Sequence, residues 1–87
     1  MKISFDPAKD EWTRAERGFS LALGAEVIRN KVATFLDDRH DYGEDRFVTF
    51  GHVEARLYVC VFTMRDTAVH IISLRKANDR EISRYGR

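Results

Sequence analysis

Side chains that carry positive charge or move protons gather in the second half of the sequence. They are Arg46, Arg65, His70, Arg75, Lys76, Arg80 and Tyr85, with Lys9 an outlier near the start. Together they answer the needs of one reaction, cleavage of RNA by attack of a 2′-OH on the adjacent phosphate. The site must take up a proton, stabilise the doubly charged phosphorane and protonate the departing 5′ oxygen. Arginine, a planar fork of donors, suits both the phosphorane and the backbone phosphates. His70 and Tyr85 can move protons, and positioning supplies much of the rest, so the chemistry calls for no metal or other cofactor. Each residue also has a plainer use. Tyr85 can dock a final helix, His70 can sit satisfied in a sheet, and Lys9, Arg80 and Arg84 can be solvated. Arg46 and Arg65 can pair with the acids of segment 37–45.

Other chemistries lack their residues. No metal-ligand spacing, P-loop, dinucleotide fingerprint or nucleophile elbow is present. The lone cysteine, Cys60, lies in an apolar run, where a buried inert thiol is the expected state, and one cysteine makes no intramolecular disulfide. Asp37, Asp38, Asp41, Glu44 and Asp45 do not have the spacing of a calcium loop and read as a solvated acidic turn.

Net charge is +1 over the 87 residues, but it is unevenly spread. Residues 1–45 hold seven Lys/Arg against ten Asp/Glu; residues 46–87 hold eight against four, and seven of those eight are arginine. The split points to a basic face for a polyanion beside an acidic element. The length suits one domain, 1–87, with a core small enough for a partner protein to add stability. No apolar stretch approaches the ~20 residues of a membrane helix, and Asp6, Asp10, Glu11 and Glu16 break up any signal-peptide block. A cytoplasmic protein with no membrane association is expected.

The elements that must position these residues follow from spacing. Lys2 to Asp6 alternates like a short strand. Asp6-Pro7 opens a helix with Ala8, Trp12 and Ala15 on one apolar face and Gly18 at its stop. Ser20 caps a second helix carrying Leu21, Ala25 and Ile28. Strands follow at Val32–Leu36, Arg46–Phe50, Leu57–Met64 and Ala68–Leu74, with a charged loop over 37–45 and two-residue turns at Val53-Glu54 and Asp66-Thr67. On that register position 63 faces 70 and 44, and position 61 faces 72 and 46. Arg46, Thr63, Arg65 and His70 then share one face, an arrangement that a one-residue slip would scatter. Asn78-Asp-Arg-Glu81 has capping-box spacing and starts a short final helix, with Arg80 and Arg84 on one side of it. The order is β-α-α-β-β-β-β-α: an α+β fold, a helical hairpin and a tail helix on a mostly antiparallel sheet.

Several of these pieces, in order and spacing, resemble the BrnT family of type II toxin–antitoxin toxins, relatives of the RelE/ParE superfamily. They are Phe5-Asp-Pro-Ala-Lys9, Gly18-Phe-Ser20, Glu44-Asp-Arg46, Gly51, Thr63-Met-Arg65, Ile71-Ile-Ser-Leu-Arg-Lys-Ala77, Glu81 and Tyr85. Carried over by position, the family's motif residues are Lys9, Arg46, Arg65, Arg75, Lys76, Glu81 and Tyr85. Where the family pattern has Asn and then Lys-His on the first helix, this chain has Thr13, Glu16 and Arg17. It has His70 where the family has Arg before the Ile-Ile-Ser run.

The resemblance implies a RelE/ParE-like fold and a bacterial, metal-independent endoribonuclease that cuts mRNA, on the ribosome or free of it, and arrests translation and growth. It also implies a cognate BrnA-type antitoxin with a DNA-binding domain, commonly two toxins with two antitoxins, repressing their own operon. In this reading Arg65 and Arg75 stabilise the phosphorane, and His70 or Tyr85 handles protons. Arg46, Lys76, Arg80 and Lys9 hold the RNA. Two readings compete with it: a gyrase-inhibitor type that binds protein and cuts nothing, and an inactive toxin kept as a subunit of the repressor complex. Fold alone does not choose among them.

Overall fold

The computed structural model describes residues 1–39 and 43–86. After a two-residue strand, β1 (Ile3–Ser4), the Asp6 side chain accepts from the Ala8 N–H and starts α1 (Pro7–Arg17). Gly18, at φ +84°, ends it in the left-handed conformation that favours glycine. The Ser20 hydroxyl caps a 3-10 turn at Leu21–Leu23, which runs into α2 (Gly24–Arg29). Four strands follow: β2 (Lys31–Asp37), β3 (Arg46–Val53), β4 (Arg56–Arg65) and β5 (Ala68–Lys76). The chain closes with α3 (Asp79–Tyr85), begun by the expected capping box between Asn78 and Glu81. The sheet order is β1-β5-β4-β3-β2, parallel only between β1 and β5. The architecture is α+β, as the spacing predicts.

Each face of the sheet is covered by different helices. Leu21 and Val27 pack with Tyr58, Cys60, Ile71 and Leu74 on the first face. On the second, Ile82 and Tyr85 of α3 pack on Phe50, Leu57, Val59 and Ala77. Burying a side chain such as Leu21 or Leu74, each with no exposed surface, is worth about 1.5–3 kcal/mol. Gly24 lets α2 lie close to the sheet: a Cβ there would stand 3.0 Å from Cys60 Sγ and from Ile71 Cδ1.

Three details depart from the sequence expectation. The apolar stripe of α1 faces solvent: Ala8 and Ala15 are exposed and Trp12 is 48% exposed, beneath the Arg17 guanidinium. What α1 buries is polar. Asp10 accepts from the Leu21 N–H and the Ser20 hydroxyl, and the Thr13 hydroxyl donates to the Lys9 carbonyl. Satisfied hydrogen bonds hold this helix against its neighbour in place of an apolar seam.

The second departure is the β3–β4 turn, which lies at Glu54-Ala55, one residue later than expected, with Glu54 at φ +55°. Val61 therefore faces Val48 and not position 46, a two-residue offset that leaves every side chain on its expected face. The third is a bulge in β5. Phe62 pairs with Ile71 but Val61 pairs with Ser73, so Ile72 is an extra residue.

Candidate functional site

The bulge determines which side chains share a face. In a regular strand, His70 and Arg75 are five residues apart and point to opposite sides. The extra residue at Ile72 resets the alternation. His70 lies opposite Thr63 and Arg75 lies opposite Val59, both on the second face. Arg65 follows Thr63 by two residues and Arg46 precedes Val48 by two, which puts both on that face too. The expected grouping of Arg46, Thr63, Arg65 and His70 is present, and Arg75 joins it.

The group has two ends. At one, Glu44 stands between two guanidinium groups, its carboxylate 3.8 Å from Arg46 Nε and 3.6 Å from Arg65. The acid has a place among the cations and is not merely part of a solvated turn. Asp37, also taken as solvated, is buried and grips Arg39 through two hydrogen bonds. Asp41 lies outside the described residues. Thr63 anchors the floor by donating its hydroxyl to the Asp45 carbonyl. His70 Nδ1 and the Ser4 hydroxyl are 2.9 Å apart, across the β1–β5 pairing. Burial and the nearby charge of Arg65 hold the His70 pKa below its ordinary value, against the opposing pull of Glu44 and Asp6. The imidazole is thereby biased toward its neutral, proton-accepting form.

At the other end, Arg75 makes a bidentate pair with Glu81, at 2.8 and 2.9 Å. Glu81 Oε1 also accepts from the Asn78 N–H at 2.9 Å, so one carboxylate closes the capping box of α3 and fixes the arginine. The hydrogen bonds to Glu81 raise the Arg75 pKa, and those to Arg75 lower the Glu81 pKa. Tyr85 stacks on Phe50 with ring centroids 4.4 Å apart and meets Phe35 at 5.7 Å, so its ring docks α3 on the sheet. Four residues of β4 separate the partners of His70 and Arg75, roughly 13 Å at the rise of a strand. A single phosphate does not span that distance; a short stretch of single-stranded RNA does.

The remaining candidates lie outside this group. Lys76 pairs with Tyr58, so the sheet turns it to the first face, away from Arg75. Arg80 is exposed on α3, and Lys9 is exposed in α1. Arg84 is exposed and lies over the Tyr85 ring. The α1 positions that depart from the family pattern have structural uses: Thr13 is fully buried, and Arg17 donates to the Leu74 carbonyl on the edge of β5. Cys60 is buried, which pushes its thiol pKa up to about 12. Among the described residues, no three His, Cys, Asp or Glu side chains come together to hold a metal ion. No helix among them is long and apolar enough to cross a membrane.

Sequence reasoning missed the role of Ser4 and the hold of Glu81 on Arg75. The plainer use it offered for Arg46 and Arg65, pairing with an acid of segment 37–45, is met by Glu44. For Glu81 a signal existed, since a capping-box carboxylate must sit beside whatever emerges from the preceding strand. Ser4 could be found only from the parallel pairing of β1 with β5. Residues 5–81 match the family model described as ribonuclease toxin, BrnT, of type II toxin–antitoxin system. No curated protein matches the chain.

Proposed function

This chain belongs to the BrnT family of ribonuclease toxins of type II toxin–antitoxin systems, and from that premise we propose that the second face of its sheet binds and cuts RNA. The observation that carries the reading is the β5 bulge, which puts His70 and Arg75 on the same face as Arg46 and Arg65. RNA runs along the strands. At the Glu44 end, neutral His70 takes the 2′-OH proton and Arg65 stabilises the phosphorane, with Arg46 beside it. At the α3 end, Arg75, held rigid by Glu81, grips the neighbouring backbone with Arg80. Tyr85 docks α3 at the Arg75 end through its ring, and the departing 5′ oxygen takes its proton from solvent water at the His70 end. Lys76, turned to the first face, lies off this path, and Lys9 is an outlying phosphate contact. Cleavage needs no metal in this scheme, because guanidinium groups supply the charge. RNA affinity falls steeply with salt as counterions compete for these sites.

A BrnA-type antitoxin with a DNA-binding domain is the proposed partner, in a complex of two toxins and two antitoxins on its operator. Family membership supports a cognate antitoxin; its details rest on the resemblance.

The test is incubation of the antitoxin-free protein with total RNA in EDTA, with and without ribosomes, beside the Arg65→Ala/Arg75→Ala variant. Cleavage by the native protein alone, leaving cyclic-phosphate or 3′-phosphate ends, is the expected result. If the double variant still cuts RNA and arrests growth, the assignment is wrong. Tyr85→Phe keeps the ring stack and deletes the hydroxyl, which separates docking from proton transfer.

A further inference from the structure

Beyond β5 the sheet gains only the two residues of β1, yet they put a hydroxyl beside the imidazole. Ile3 and Ser4 run parallel to Val69 and His70, and the Val69 N–H donates to the Lys2 carbonyl at 2.9 Å. Phe5 packs on the first-face core and Asp6 caps α1, so Ser4 is held by anchored neighbours on both sides. Side chains alternate along a strand, which turns Ser4 to the second face, with His70 and the arginines. There its Oγ lies 2.9 Å from His70 Nδ1. Both residues are half-buried, and this is the one hydrogen bond of the His70 ring among the described residues. Arg65, Glu44 and Asp6 act on the ring through charge alone. Among the described residues, Nε2 has no hydrogen-bond partner.

Which ring nitrogen carries the proton is set by the hydrogen bond the other one makes. A hydroxyl opposite Nδ1 suits a base that works through Nε2. When Nε2 takes a proton both ring nitrogens become donors, and Oγ still accepts from Nδ1. A carboxylate in the same place would also hold the imidazolium, but its charge would favour a protonated ring before the reaction began. Serine orients the ring and leaves it neutral. We propose that Ser4 is a positioning residue, its Oγ accepting from His70 Nδ1–H so that Nε2 is the atom that takes the 2′-OH proton. As the 2′ oxygen bonds to phosphorus, its proton passes to Nε2, Nδ1 keeps its own, and the Ser4 hydroxyl holds the imidazolium so formed. This role rests on His70 as the base of the proposed reaction.

Long-range proton–nitrogen NMR correlation of the imidazole, above the His70 pKa and without RNA, reads the tautomer directly. The His70 signals are those lost in His70→Gln. The neutral ring of the native protein should carry its proton on Nδ1, and in Ser4→Ala the proton should move toward Nε2. At saturating RNA, Ser4→Ala should cut about 2–10-fold more slowly, the ratio that one neutral hydrogen bond sets. Its KM should not change, because no cation is lost. Ser4→Thr keeps the hydroxyl and should restore both tautomer and rate. A native ring protonated on Nε2 overturns the assignment without any variant, and so does a tautomer that Ser4→Ala leaves in place. Native cleavage that Ser4→Ala does not slow, although the tautomer has moved, overturns the positioning role. A native protein with the expected tautomer that cuts no RNA counts against the ribonuclease reading and leaves the hold of Ser4 on the imidazole standing.

Discussion

Replacing Glu81 separates the two tasks of its carboxylate. Glu81→Gln keeps a side chain that can complete the capping box but removes the charge facing Arg75; Glu81→Ala removes both. Hydrogen bonds to charged groups are worth about 1.5–3 kcal/mol. Arg75, however, is 43% exposed, and exposed ion pairs fall toward about 1 kcal/mol or less. We therefore expect Gln to cost about 1 kcal/mol, and Ala about 0.5–1 kcal/mol more for the lost half of the cap. For a domain of this size each kcal/mol lowers the melting temperature by about 4–8 °C. Thermal unfolding followed by circular dichroism measures both variants. Because the folded-state pKa of Glu81 lies below its ordinary 4.5, the native advantage over Gln is full above that value. It is lost as pH falls through the depressed pKa. If Gln melts with the native protein at pH 7, or the gap persists in strong acid, the ion pair does not stabilise the fold and the account of Arg75 as a fixed guanidinium fails.

Three further outcomes follow from other contacts. In an NMR titration His70 should titrate below the ordinary histidine range; Arg65→Ala should raise its pKa and Glu44→Gln should lower it, the reverse order overturning the electrostatic assignment. Its share of stability is then present above that range and declines as pH falls through it. Gly24→Ala should cost about 1–3 kcal/mol by overpacking against Cys60 and Ile71, read as a lower denaturation midpoint. Cys60 should resist thiol reagents in the folded protein and react on unfolding; fast labelling of the native state would show the core to be open.

Much of the fold was legible because its signals are local. Asp6-Pro7, Gly18, Ser20 and the Asn78–Glu81 box each act within one turn of chain, and all four stand where expected. The stripe of Ala8, Trp12 and Ala15 misled for the opposite reason. An apolar face is buried only if a neighbour covers it, and here the neighbour is held through Asp10, while the buried Thr13 satisfies its hydroxyl within the helix on the Lys9 carbonyl. No periodicity records that choice.

The site was legible in composition but not in arrangement. Arginine content and the His70–Thr63 pairing follow from the sequence, and the one-residue shift of the β3–β4 turn did no harm because it offsets the pairing by two and strand faces repeat every two residues. The insertion at Ile72 is of another kind. Counting by twos sends Arg75 to the face opposite His70, and only the bulge reverses it. Bulges arise from the competition of two packed faces: Ile71 and Leu74 are both fully buried on the first face although three residues apart, an odd spacing that a regular strand cannot satisfy. Burying both residues imposes the extra one, and the extra one aims Arg75. The basic face is thus a consequence of the core on the other side of the sheet. Deleting Ile72 removes only the extra residue, so a regular strand then carries Ile71 and Leu74 on the first face and His70 and Arg75 on the second. The shortened protein should keep its RNA binding, and a loss of binding without unfolding would show that the bulge does more than set the faces.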